Sequence, residues 1–96
     1  MAGRFWKPST NVVESSLGFS TKVLGRTGML YIANGRSLHL YSEVAGTIDA
    51  IAIWRDSIKR WDPPHDGETI GTEERERIIG NIQWAFEATN KKLDVI

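Results

Sequence analysis

Residues 56–70, DSIKRWDPPHDGETI, hold the densest set of groups in this chain that could do chemistry: a serine, a histidine, four acidic residues, a tryptophan and two prolines. Three chemistries suit such a set, and each runs into a missing part. Counted from Asp62, the calcium-loop spacing D-x-[DN]-x-[DN]-G-x5-E is met by Asp62, Asp66, Gly67 and Glu73. It fails at Pro64, which offers no side-chain oxygen to an ion that wants about six to eight of them. His39 and His65 are too few for a three-histidine zinc site. Ser57, His65 and Asp62 or Asp66 are the types a hydrolase uses, but no G-x-S-x-G turn presents the serine. Gly25-Arg26-Thr27-Gly28 lacks the spacing and the lysine of a phosphate-binding loop. The expectation is therefore no catalytic residue, no metal, no cofactor and no enzymatic activity.

What the same stretch can do is bind. A tryptophan beside a Pro-Pro pair makes a rigid anchor of the kind interfaces use, although a tryptophan in so small a chain equally serves as core. The candidate partner-binding residues are Trp61, Asp62, Pro64, His65, Asp66, Glu68 and Glu73. Charge supports the reading. The net charge is zero, yet residues 1–40 carry five Lys/Arg against one Glu, and residues 41–96 carry seven against eleven Asp/Glu. Residues 62–76 alone hold six acids and one base, Arg75. Such a segment repels phosphates and attracts basic proteins, unless it is simply a solvated helix start. A nucleic-acid module is the alternative, built on Arg4, Lys7, Lys22, Arg26 and Arg36 with Phe5, Trp6 and Phe19 to stack bases. Its weakness is the absence of a net basic excess.

These residues must be positioned by one domain, because 96 residues leave no room for two cores. The hydrophobic share of 41% and charged share of 25% are ordinary for a globular chain. There is no cysteine, which excludes disulfides and thiolate metal sites. The N-terminus lacks the apolar run of a secretory signal, and no segment nears the roughly 20 apolar residues of a membrane span. A cytoplasmic protein is expected. Residues 1–16 are expected to be the most loosely ordered part, with Phe5 and Trp6 as the groups able to tie them down.

From Phe19 the pattern has period two, FSTKVL, ending at the Gly25 and Gly28 turn. In MLYIANGRSLHLYSEV, two β-prone runs flank Asn34-Gly35, the pair that suits a type I′ hairpin turn. Leu30 and Ile32 are expected to share a face with Leu38 and Leu40 or their immediate neighbours, with Tyr31, His39 and Tyr41 on the opposite face or at its edge. TIDAIAIW, residues 47–54, reads as a further strand, and SIKRW as a helical turn or bend that ends before Pro63. Trp54 is expected in the core. Thr72 is expected to cap a helix running to about Thr89, with Glu73, Glu74 and Glu76 at its positive end. Ile78, Ile82, Ala85, Phe86 and Thr89 form its buried stripe, Trp84 falls off that stripe, and Asn90 stops it. KLDVI closes as a strand. The fold class is α+β: a small, mainly antiparallel sheet packed by one long helix in the C-terminal half, with a short final strand. A homodimer or oligomeric scaffold stays open, with KLDVI and FSTKVL as the strand edges to pair.

The segment AIAIWRDSIKRWDPPHDGETIGTEERERIIGNIQWAF resembles the Imm74-type immunity proteins, small bacterial proteins associated with polymorphic toxin systems. The resemblance rests on a D-S-x-x-x-W-x-x-P block after a strand, then an acidic loop, an Ile and a helix of the E-x-x-x-I-I-x-x-I kind. Those features fall here on Asp56, Ser57, Trp61, Pro64, Ile70, Glu74, Ile78, Ile79 and Ile82, and the likeness covers about residues 28–96. It implies a non-enzymatic protein that binds and neutralises a cognate toxin, and it carries over no catalytic residue. The acidic balance of residues 62–76 points to a basic toxin.

Overall fold

The computed structural model describes residues 3–96, with the backbone alone at Ile48. Seven strands form a single sheet in the order of the chain: β1 (Phe5–Ser9), β2 (Val12–Ser15), β3 (Phe19–Val23), β4 (Thr27–Ala33), β5 (Arg36–Ala45), β6 (Thr47–Ile53) and β7 (Lys92–Val95). All neighbours are antiparallel except β6 and β7, which are parallel. Parallel neighbours need a long crossover, and that crossover is where the candidate binding residues lie. It runs through a short 3-10 turn (Arg55–Ser57), the Pro-Pro loop and the helix α1 (Thr72–Ala88). The α+β class, the single helix and the final strand are as the sequence implies.

The sheet curls around α1, which packs against β2 and β3 on one side and β7 on the other. The concave face supplies Val13, Phe19, Met29, Tyr31, Leu38, Leu40, Ile51 and Ile53 to the core, and α1 supplies Ile78, Ile79, Ile82, Ala85 and Phe86. Asn34 and Gly35 both have positive φ, 54° and 74°, as the tight β4–β5 turn requires. On that hairpin Leu30 and Ile32 share their face with the neighbours of Leu38 and Leu40, and Tyr31 is separated from His39 and Tyr41, contrary to the expectation. Tyr31 pairs with Leu38 and is buried, while Leu30 pairs with His39, Ile32 pairs with Ser37, and Ile32 is exposed. Both alternating sets of β4 are apolar, so period two alone does not say which one faces inward. Trp54 is also displaced from the expected core. It is half-buried and packs edge-on against Tyr41, ring centroids 4.9 Å apart. The turn after β6 lies at Arg55–Ser57, ahead of most of SIKRW. β3 sits between β2 and β4, so FSTKVL is not an edge; the edges are β1 and β7. The face occupied by Ile48 is outside the described residues.

The helix begins one residue earlier than a Thr72 cap would have it. Gly71 is the N-cap, no side chain caps the helix, and the first intrahelical bond runs from Arg75 N–H to Gly71 O at 2.9 Å. Glu73 and Glu74 in the first turn favour the exposed amide end electrostatically. Its C-terminus is closed by Asn90, whose φ of 58° is left-handed. Lys91 N–H then donates to Phe86 O at 2.7 Å and Asn90 N–H to Glu87 O at 3.3 Å, the paired bonds of a Schellman motif.

That motif turns Lys91 back under the helix, where its side chain is only 1% exposed. Its ammonium donates to Asp49 Oδ1 at 3.1 Å and reaches Thr10 O at 3.4 Å, and it lies 5.7 Å from the Phe86 ring centroid. One side chain thus links the β1–β2 turn, β6 and the helix across the gap between the sheet's two edges. Hydrogen bonding to Lys91 holds the Asp49 carboxyl below the usual aspartate range.

Two outcomes follow for urea unfolding. Lys91→Ala is expected to lose about 2–4 kcal/mol through lost packing and bonds. Lys91→Met, which keeps the volume and removes the charge, is expected within about 1.5 kcal/mol of wild type. Because the Asp49 pKa is depressed on folding, its contribution is fully present above the unfolded aspartate pKa and is lost as pH falls through the folded one. Stability of Asp49→Asn should therefore fall less steeply with acid than that of wild type.

Candidate protein-interaction surface

β6 covers only the second half of β5. Their ladder begins at Ser42, opposite Ile53, leaving residues 36–41 with no strand on that side. Backbone groups left unpaired at such an edge cost stability and invite foreign strands. Residues 54–62 supply the missing partners. Trp54 N–H donates to Tyr41 O at 3.2 Å, and Tyr41 N–H donates to the Ser57 hydroxyl at 2.9 Å. The same hydroxyl donates to Trp54 O at 2.7 Å. Asp62 completes the edge: its N–H donates to Ser37 O at 2.8 Å, and its carboxylate accepts from His39 N–H at 3.3 Å and the Ser37 hydroxyl at 3.1 Å. His39 Nδ1 lies 2.6 Å from the same carboxylate.

The loop that follows is held at both ends and free at its tip. His65 N–H donates to Asp62 O, Glu68 N–H to His65 O, and Ile70 N–H to Lys59 O. An isolated bridge pairs Arg60 with Thr69, and Arg36 donates through Nε and Nη2 to the Glu68 carboxylate, both at 3.2 Å. Two parallel charge-assisted bonds of this kind fix orientation as well as distance. Arg55 pairs with Glu76, tying the 3-10 turn to the first part of α1. The Pro63–Pro64 peptide is cis.

The candidate binding residues are thereby divided. Pro64, Asp66, Glu68 and Glu73 are exposed, and Asp62 and His65 are half-buried. Trp61 is 6% exposed and packs near Tyr31, ring centroids 6.4 Å apart. With Phe19 and Tyr31 it lines a pocket of about 230 Å³ between the sheet and α1, whose mouth carries Glu74, Arg77 and Asn81. Burial raises the Tyr31 pKa, opposed by the hydrogen bond its hydroxyl accepts from Asn81 at 2.9 Å.

The hydrolase trio is not assembled. Ser57 is engaged with Trp54 and Tyr41, and the partner of Asp62 is His39, not His65. The Asp62–His39 pair spans 23 residues of sequence, and no local spacing signals it. Among the described residues no three His, Asp or Glu side chains converge to hold a metal ion. The negative balance of residues 62–76 is also smaller in space than in sequence. Glu68 and Glu76 each face an arginine and Asp62 faces His39; among the described residues, Asp66, Glu73 and Glu74 form no ion pair.

Comparison with known families gives one match: the model described as immunity protein 74 fits residues 23–96. The chain belongs to the immunity protein 74 family. No curated protein and no solved structure matches it. The family match takes in the β5 edge, the Pro-Pro loop, α1 and β7, and starts at the last residue of β3. Most of the family-like block does structural work in this member. Ser57 caps β5, and Trp61, Ile70, Ile78, Ile79 and Ile82 are core. Asp56 and Pro64 are exposed, and Glu74 stands at the pocket mouth.

Ser57→Ala should leave Tyr41 N–H without its acceptor and cost about 1–2 kcal/mol. Asp62→Ala should cost about 1–3 kcal/mol, and Asp62→Asn less, since the amide oxygen still accepts from His39 N–H. In a domain of this size each kcal/mol lowers the midpoint by about 4–8 °C, which a thermal melt resolves.

Proposed function

We propose that this chain is a non-enzymatic immunity protein that acts in the cytoplasm, binding a cognate bacterial toxin stoichiometrically and neutralising it. The observation that carries the reading is the family match over residues 23–96. The geometry is in keeping with it: of the serine, histidine and aspartates that could have formed a catalytic set, Ser57 and Asp62 are spent on capping β5, away from His65. The loop tip, with Pro64, His65 and Asp66 held on a pinned frame, is the part of the matched region we assign to the toxin, together with Glu73 at the start of α1. Trp61 and Asp62 support that frame from beneath, and Glu68 is fixed beside it by Arg36. Asp66 and Glu73, which form no ion pair among the described residues, are matched to Lys or Arg on the toxin, where opposite charge speeds encounter and sets orientation.

Capture of partners from the native host with the tagged chain tests this directly. The expected result is a protein whose toxicity in a sensitive strain is suppressed when this chain is co-expressed. Asp66→Lys with Glu73→Lys should weaken its binding about tenfold or more and show a reduced salt dependence. Capture with no toxin suppressed, or unaltered binding by the double variant, would remove the immunity reading or the loop assignment respectively.

A further inference from the structure

The family match leaves out residues 3–22, yet they are built into the sheet as β1, β2 and most of β3. They also change its outer face. Trp6 on β1 is 44% exposed, with its indole N–H donating to Glu14 Oε1 at 2.8 Å. Ile32 on β4 is 40% exposed, and the two side chains flank a shallow groove of about 260 Å³ floored by Ser20. A tryptophan held by a hydrogen bond and exposed to solvent is a poor core residue and a good anchor, because little side-chain entropy remains to be lost on binding.

The groove is not isolated. The strand register places Trp6 opposite Glu14, Glu14 opposite Ser20, Ser20 opposite Ile32, and Ile32 opposite Ser37. Ser37 in turn donates its hydroxyl to Asp62 at the root of the Pro-Pro loop. One row of side chains therefore runs across five strands, about 20 Å at the usual strand spacing, from Trp6 to the loop assigned above to the toxin. Charge varies along it. Arg4 at the Trp6 end and Lys22 beside Ser20 on β3 are exposed and form no ion pair among the described residues, Glu14 in the row accepts from the Trp6 indole, and the loop end carries Asp66.

We infer that the toxin-binding surface extends along this row onto the N-terminal hairpin, and that the Trp6–Ile32 groove takes an apolar side chain of the toxin. The inference rests on the immunity reading and adds the partner's complementary chemistry. The toxin places basic residues against the loop, an apolar anchor in the groove, and acidic residues against Arg4 and Lys22. Because residues 3–22 lie outside the family pattern, this end of the surface selects which toxin is bound.

The test uses the full chain and the toxin identified by capture, titrated calorimetrically against Trp6→Ala, Ile32→Ser, Lys22→Glu and Asp66→Lys. Trp6→Ala should weaken binding about thirtyfold, as truncation of a central anchor does, and Ile32→Ser and Lys22→Glu about three- to tenfold. The last two are exposed positions, so their effect does not hinge on hairpin folding. Normal binding by Trp6→Ala, Ile32→Ser and Lys22→Glu, with Asp66→Lys alone weakened, would keep the immunity reading and overturn this surface. Self-association abolished by Ile32→Ser, with toxin binding intact, would assign the face to a second copy and overturn it equally. If no captured protein is neutralised by wild type, the immunity reading falls and this surface with it.

Discussion

The first half of β5, left without a strand on one side, is the constraint around which the second half of the chain is arranged. β6 ends opposite Ser42, so Ser37, His39 and Tyr41 turn backbone groups towards a side with no strand. Water could satisfy them, but at an open sheet edge that leaves a template for unwanted pairing. The chain instead lays residues 54–62 along the edge and uses two side chains, Ser57 and Asp62, where a strand would use amides and carbonyls. Several features follow from that choice. Trp61, next to Asp62, is brought over Tyr31 and closes the end of the core. The loop starts from a fixed point and is returned by the Arg60–Thr69 bridge to begin α1 at Gly71.

The other end of the crossover is secured by different physics. A helix that ends in a Schellman motif directs the next residue back towards its own last turns. Here that residue is Lys91, and its buried ammonium joins β6 and the β1–β2 turn, the two sides of the curl. A buried cation is costly unless its protons are satisfied. Asp49, Thr10 O and the Phe86 ring provide for it. The curl in turn decides which face of the sheet is lined by the helix and which is left bare, and so makes the outer row from Trp6 to Ser37 available.

This arrangement suits recognition better than catalysis. Catalytic groups need a free proton-transfer or nucleophilic atom aimed at one point. In this molecule Ser57 and Asp62 are turned to the backbone of β5, and the exposed groups are spread over a loop tip and a sheet face. Half of the six acids in residues 62–76 are answered by Arg36, Arg55 and His39. The local field is therefore carried by a few groups, chiefly Asp66 and Glu73, and the charge balance counted along the sequence overstates it. Specificity on such a surface comes from where the few open charges stand relative to an apolar anchor.

What the sequence determined by itself is what depends on neighbours a few residues apart. The Asn34-Gly35 turn follows from the tolerance of both residues for positive φ, the length of α1 from its 3.6-residue stripe, and its end from Asn90. The immunity-family block is legible for the same reason, since it is a fixed spacing of side chains. Tertiary structure decided the rest. β4 is apolar on both alternating faces, so only packing against α1 turned Tyr31 inward and Ile32 outward. β1 and β2 are short, hold a proline and show no apolar–polar alternation, and they become strands by pairing with each other and with β3 rather than by their own pattern. The Asp62–His39 contact joins groups 23 residues apart through an edge that exists only once β6 has stopped short. Local rules reach as far as a turn or a helix repeat; which groups meet across the sheet depends on how it curls.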